Sequence, residues 1–351
     1  MAVLVLLAGF TLTNNLILRH YPDLFQWQLR GILIGVTLLA LSIYPQLLNW
    51  QLDYTIHSGQ LWSGTEHILA TAVYQNHQPI GFYSHRGYAG FPLALSAVLS
   101  VVAIQNSWIP ARIALPITII YAVTLSLARV RGALLAMLFG WMWLIPTILG
   151  QKPIRRTLII LTLIGIISFG WTTAERRVGD ADLFAPTLFR TTIRNFTSDR
   201  VYIWEKSRNY FLKKPLFGWG FSGYSISDAT HLCPKNTNLI DLKEHHADCQ
   251  SDSKAILRIQ TQSLKAHNLL LDQLISIGLI GTISYFIVLG CYFLENPNIR
   301  YSRTLAITIV YFTYTFTWYD SAQFTHIGWW SISVFSLHRL LVPVHSSPRG
   351  K

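Results

Sequence analysis

Charge is what this sequence lacks. Only 13% of its 351 residues are charged, and only 16 are Asp or Glu. Soluble domains carry about 25% charged residues, so a soluble globular chain is excluded. Cysteine is scarce as well, and three residues cannot staple a disulfide-dense secreted scaffold. Met1 is followed at once by apolar residues with no basic n-region, so no cleavable secretory signal is read. Because acid is short, 28 Lys and Arg leave a net charge of +12. That charge is divided among short loops rather than gathered into a compact basic domain, and nucleic acid is not an expected partner.

What the sequence has instead is apolar length. Hydrophobic residues make up 51% of it. A bilayer core of about 30 Å needs roughly 20 such residues per helical crossing. Nine runs approach that length: 3–18, 31–49, 88–105, 108–128, 133–150, 157–172, 268–294, 304–321 and 326–342. The expected fold is an all-α polytopic membrane protein, since helices satisfy their own backbone in lipid. Short basic loops set the orientation. "QKPIRR" (151–156), "ENPNIRYSR" (295–303) and the tail ending "SPRGK" are placed in the cytoplasm, which puts 50–87 and 173–266 outside. The same count leaves Met1 outside and leads to the expectation that upstream spans are missing. Three segments follow: an N-terminal transmembrane bundle over 1–172, an external subdomain over 173–266, and C-terminal transmembrane helices with a basic cytoplasmic tail over 267–351.

The external segment 173–266 is the one region large enough for a soluble subdomain. Its first half holds "DRVYIWEKSRNYFLKKPLFGWG", read as a helix capped by Asp199 and stopped by "PLFGWG". Tyr202, Trp204, Tyr210 and Phe211 interleave there with Lys206, Arg208, Lys213 and Lys214, as suits a helix at a membrane interface. The second half, 224–262, is polar and lacks clear periodicity. It holds Cys233 and Cys249, for which a disulfide is expected in an oxidising compartment. Cys291 lies within a span and is read as packing. "NFT" at Asn195 matches a glycosylation sequon. "KEHHADC" (243–249), with His231 nearby, fits no zinc spacing and is read as solvated loop histidines.

Several basic residues share a position. Arg86 in "SHRGYAGFPLAL", Arg131 in "ARVRGALLAM" and His267 in "KAHNLLL" each precede a span that begins on the outer face. Arg200 in "TSDRVYIW" falls in the first turn of the interfacial helix. Free N–H groups and the helix dipole favour anions at such ends. Arginine grips a phosphate bidentately, as lysine does not. Span-end arginines are commonly snorkelling anchors, but outer-face arginines run against the positive-inside bias. The pattern points to a lipid-linked phosphate at the outer bilayer surface.

"VRGALLA", then "DRVYIWEKSRNYFLKKPLFGWGF", then "KAHNLLLDQLISIGLIG" resemble, in order, the three signature blocks of the O-antigen ligase and Wzy-type polymerase superfamily. The layout extends from Arg86 to the end of the chain. Members usually have about twelve spans and often a Ser before the Arg-Gly-Ala, where this chain has Val130. The resemblance implies transfer of a glycan from an undecaprenyl-diphosphate carrier to an acceptor hydroxyl outside the membrane, with no metal or other cofactor. The acceptor would be a lipid core, a glycan or a protein. It further implies a multi-pass protein of the bacterial inner membrane, surrounded by membrane lipids, with its site facing the periplasm. Arg131 and Arg200 would clamp the diphosphate and His267 would assist transfer. Arg86, Asn268 and Asp272 are candidates for holding the diphosphate or glycan.

The chemistry agrees with those roles. Fixed cations stabilise a pyrophosphate leaving group whose charge grows in the transition state. A sugar hydroxyl gains from a general base, and neutral histidine suits pH 7. Asp272, acidic and inside a span, is a functional candidate by default, either as a second base or as a structural partner. Ligase, Wzy-type polymerase and protein O-glycosyltransferase share every block quoted. A non-catalytic transporter would show ionisable residues in mid-span or broken helices paired between repeats, and neither is read here.

Overall fold

The computed structural model describes residues 2–47, 79–83, 85–148, 152–178, 200–233, 237–242, 246–251, 255–260, 265–294, 303, 305–318 and 324–336. Among them a helix coincides with each of the nine apolar runs. These are α1 (Ala2–His20), α2 (Leu24–Leu47), α3 (Arg86–Gln105), α4 (Ala111–Leu127), α5 (Arg131–Leu144), α6 (Lys152–Val178), α9 (Leu269–Leu294), α10 (Leu305–Thr317) and α11 (Thr325–Ser336). By length and composition, three are long and apolar enough to cross a membrane: Leu24–Leu47, Arg86–Gln105 and Leu269–Cys291. The expected cap Asp199, the sequon at Asn195 and residues 243–245 of "KEHHADC" lie outside the described residues.

The chain divides into two compact units, one comprising Thr173–Cys291 and Thr315–Asp320, the other Ala2–Thr172, Tyr292–Tyr314 and Ser321–Lys351. In the second unit α3 is the central helix, buried along nearly its whole length. Small residues let its neighbours approach, as expected where lipid gives helices no hydrophobic reason to associate. A Cβ on Gly140 of α5 would come 2.7 Å from Val98 on α3 and 2.9 Å from Val310 on α10. Gly90 brings α3 equally close to the start of α5, where an added Cβ would lie 2.8 Å from Val130 and 3.1 Å from Ala133. Buried polar side chains join the rest. Asn14 donates to Ser333 Oγ at 2.8 Å and accepts from Gln28 at 2.6 Å, and Trp330 Nε1 donates to Gln28 at 2.8 Å.

The first unit adds α7 (Arg200–Lys213), α8 (Gly223–Leu232) and a three-stranded antiparallel sheet of β1 (Thr237–Leu242), β2 (His246–Ser251) and β3 (Ile256–Gln260). An all-helical reading does not include this sheet. Its strands are five or six residues long, and Ile240, Ile256 and Leu257 are exposed, so no inward-outward alternation marks them in the sequence. Two tethers hold it. A Cys233–Cys249 disulfide joins the end of α8 to β2, with Cα atoms 5.8 Å apart. Arg258 faces Asp248 across the β2–β3 register and grips it through Nε at 2.9 Å and Nη2 at 3.2 Å.

α9 is broken at Gly278, whose φ of 66° and ψ of −173° are not helical. Four backbone groups freed by the break are met by the turn at 215–220. Trp219 N donates to Ile275 O at 2.7 Å and Gly220 N to Ser276 O at 2.9 Å. In the other direction Leu279 N donates to Pro215 O at 2.8 Å and Ile280 N to Leu216 O at 3.3 Å. Unsatisfied backbone in a membrane costs several kcal/mol per group, so this turn is what makes the break tolerable. The sequence read "PLFGWG" as a helix stop and "GLIG" as part of a continuous span; the structure interlocks them. Broken helices of transporters come in pairs between repeats, whereas among the described residues the non-helical interruption lies in α9 alone.

Candidate functional site

The loop into α9 is tightly specified. Asn268 caps the helix, its Oδ1 accepting from Leu271 N at 3.1 Å, while its Nδ2 donates to Phe316 O at 3.0 Å. Asp272 turns back so that its Oδ1 accepts from Ala266 N at 2.8 Å. Asn268 and Asp272 are each 9% exposed and Ala266 is fully buried. Between these anchors His267 is held at a φ of 53°. That left-handed conformation costs a non-glycine residue roughly 1–2 kcal/mol and persists only where its surroundings enforce it.

His267 does not stand alone. Its ring meets Trp318 edge to face, with centroids 4.9 Å apart. The Arg200 guanidinium lies over the same indole, 5.3 Å from its centroid. One aromatic side chain thus carries both the cation expected to hold a phosphate and the imidazole expected to take a proton. All three are half-buried, so cation–π attraction counts for more than it would in open water. Trp318 was missed in the sequence. An aromatic residue near a span end reads as an interfacial belt, and nothing in "TFTWYD" distinguishes it.

Arg200 is the first residue of α7, and what fixes α7 is a buried polar knot beneath it. Asp228 of α8, 2% exposed, accepts from Tyr210 OH at 2.7 Å and has Lys206 Nζ at 3.6 Å. Burial first, and then the Asp228 carboxylate, push the Tyr210 and Tyr224 phenols well above their ordinary range, so both stay neutral. Tyr210, Tyr224, Ala266 and Ile275 form an apolar cluster around this knot, with Ile203, Phe211, Trp219 and Leu271 against it. Trp219 Nε1 also donates to Tyr210 O at 2.9 Å, tying the 215–220 turn to α7. The knot therefore links the middle and second half of α7, the break in α9 and the loop before it.

Arg86 and Arg131 belong to the other unit. Each opens its helix, Arg86 opening α3 behind the cap His85, whose Nδ1 accepts from Gly87 N at 2.9 Å, and Arg131 opening α5 behind Val130. The close approach at Gly90 brings these two helix starts side by side. Beneath them lie Phe91, Tyr314 and Phe324, with Phe91 and Phe324 centroids 4.9 Å apart, and Tyr314 OH donates to Gly87 O. Of the residues expected to act, the structure brings Arg200, His267, Asn268 and Asp272 into one neighbourhood and sets Arg86 and Arg131 at adjacent helix ends. Among the described residues no group of three or more His, Cys, Asp or Glu could hold a metal ion.

No curated protein matches the chain. A family model does: residues 116–286 match the family described as O-Antigen ligase. That stretch runs from within α4 into the second half of α9 and includes Arg131, Arg200, the 215–220 turn, His267, Asn268 and Asp272, whereas Arg86 and Trp318 fall outside it. The match over residues 116–286 supports the O-antigen ligase and Wzy-type polymerase superfamily as the one this chain is similar to.

Proposed function

We propose that the chain moves a glycan from an undecaprenyl-diphosphate carrier to an acceptor hydroxyl on the outer, periplasmic side of a bacterial inner membrane. The observation that carries this reading is the shared indole: Arg200 and His267, both within the segment similar to the O-antigen ligase family, rest on Trp318, which lies beyond it. Arg200 contacts the diphosphate, and Arg131 and Arg86, each at a helix start of the other unit, are separate candidates for phosphate contact. His267 accepts the proton of the acceptor hydroxyl. The new bond forms from that oxygen to the anomeric carbon, while the bond from the same carbon to the phosphate oxygen breaks. The electron pair leaves on undecaprenyl diphosphate, and arginine stabilises the growing charge. Asn268 and Asp272 set the loop that holds the imidazole, a role drawn from their hydrogen bonds to Leu271, Phe316 and Ala266.

Transfer to a lipid core is the first reading for the acceptor; the alternatives are a carrier-bound glycan, as in a polymerase, or a protein. The test uses purified protein, an undecaprenyl-diphosphate glycan and each candidate acceptor. One product of fixed size identifies a ligase and a ladder identifies a polymerase. Arg200→Ala should nearly abolish either product, and Arg200→Lys should restore little, because lysine lacks the planar fork. Full activity in the Arg200→Ala variant would remove the clamp from the account.

A further inference from the structure

The C-terminal end of α3 holds polar groups that the transfer site does not use. Gln105 and Asn106 are 6% and 7% exposed. Both amide atoms of Gln105, and Asn106 Nδ2, have no hydrogen-bond partner among the described residues. Arg303, just ahead of α10, donates from Nη1 to Gln105 O at 2.6 Å and to Asn106 Oδ1 at 3.1 Å. Gln105 O lies at the carbonyl end of α3, where a cation is favoured.

Those two bonds occupy both hydrogens of Nη1 and leave the Nε–Nη2 edge of the guanidinium. That edge matches two oxygens of a phosphate in parallel. No described carboxylate pairs with Arg303; burial lowers its pKa from the ordinary value, and burial is the cause. A guanidinium drawn partly out of water without a counter-anion is unfavourable, and so is an amide N–H buried without an acceptor. An oxyanion at this point would relieve both. Asn106 Nδ2 belongs to the amide whose oxygen Arg303 already holds, so it offers a second donor beside the guanidinium.

We propose that Arg303 and Asn106 bind a phosphate group, that of an anionic phospholipid headgroup in the leaflet at the C-terminal end of α3. α3 is long and apolar enough to cross the bilayer, which puts its end at a membrane surface. Basic pockets between transmembrane helices are where anionic headgroups are held. Free phosphate shares the chemistry, so the experiment separates the two sources.

The full chain, purified in detergent, is given phosphatidylglycerol, phosphatidylcholine or inorganic phosphate and weighed by native mass spectrometry. Phosphatidylglycerol is expected to be retained in preference to phosphatidylcholine. Arg303→Gln is expected to lower that retention about tenfold or more, the effect of losing a charge-assisted two-point contact. Asn106→Asp guards against simple misfolding. It gives Arg303 a carboxylate within the protein, so the melting temperature should hold while the lipid is lost to the same degree. Retention of inorganic phosphate with no lipid preference assigns the same residues to a free anion. Equal lipid retention in the wild type and both variants, or no preference for phosphatidylglycerol or inorganic phosphate over phosphatidylcholine, whose phosphate is neutralised by its own choline, overturns the site.

Discussion

Gly218 and Gly278 meet backbone to backbone: a Cβ on Gly218 would lie 2.6 Å from the Gly278 nitrogen, and one on Gly278 would run into the Leu216 carbonyl. The break in α9 and the turn that fills it are therefore a single device, and each glycine is required by the other's backbone. Both have positive φ, 69° and 66°, so an added side chain meets conformational strain as well as overlap.

Gly218→Ala and Gly278→Ala should each destabilise the first unit by about 3 kcal/mol or more, strain and overpacking together. Gly220 is the control. Its φ is 89° but nothing lies within 4 Å of an added Cβ, so Gly220→Ala should cost only the strain, roughly 1–2 kcal/mol. Thermal unfolding in detergent separates the three; equal losses would mean that the interlock contributes nothing beyond φ.

Alkali should loosen the same unit. The phenols of Tyr210 and Tyr224 are raised above their ordinary value, by burial first and by Asp228 next. A raised folded pKa means stability that is fully present below the unfolded value of about 10 and is lost as pH climbs toward the folded value. The melting temperature should be level near neutrality and fall above pH ~10. Tyr210→Phe should be less stable at pH 7, because the Asp228 carboxylate loses a donor, yet fall less steeply in alkali. A variant whose alkaline slope matches the wild type would show that Tyr210 does not carry the effect.

Orientation has its own readout. Cys233 and Cys249, after reduction, should react with a membrane-impermeant thiol reagent on intact cells. Cys291, in the span that begins at Leu269, should not. Labelling of the pair only after permeabilisation would invert the topology and move the proposed site to the other face.

Sequence and structure agree where local chemistry decides. The apolar runs become helices because a chain so poor in charge has few other ways to bury its backbone. Arg86, Arg131 and Arg200 open helices as their motifs suggest. What the sequence hides is long-range. The break at Gly278 sits in an apolar run that reads as one span, and the turn that repairs it lies far upstream. Trp318 becomes visible only when the end of α10 is placed beside Arg200 and His267. Asp272, acidic within a span, reads either as a second base or as a structural partner, and its Oδ1 accepts from the Ala266 N–H. The sheet is held by Cys233–Cys249 and Arg258–Asp248, pairings that short exposed strands do not announce.

The central claim is that His267, set in place by Trp318 and its left-handed turn, takes the acceptor's proton. The most direct measurement is the rate of glycan transfer from an undecaprenyl-diphosphate donor between pH 5 and 8, for the wild type and for His267→Gln. A base must be neutral, so the wild-type rate should fall as pH drops through the ordinary imidazole range near ~6.5. His267→Gln keeps hydrogen bonding without basicity and should be slower by about 10²–10⁴-fold with little change in donor binding. A wild-type rate that stays flat across that range, with His267→Gln turning over normally, would contradict the account.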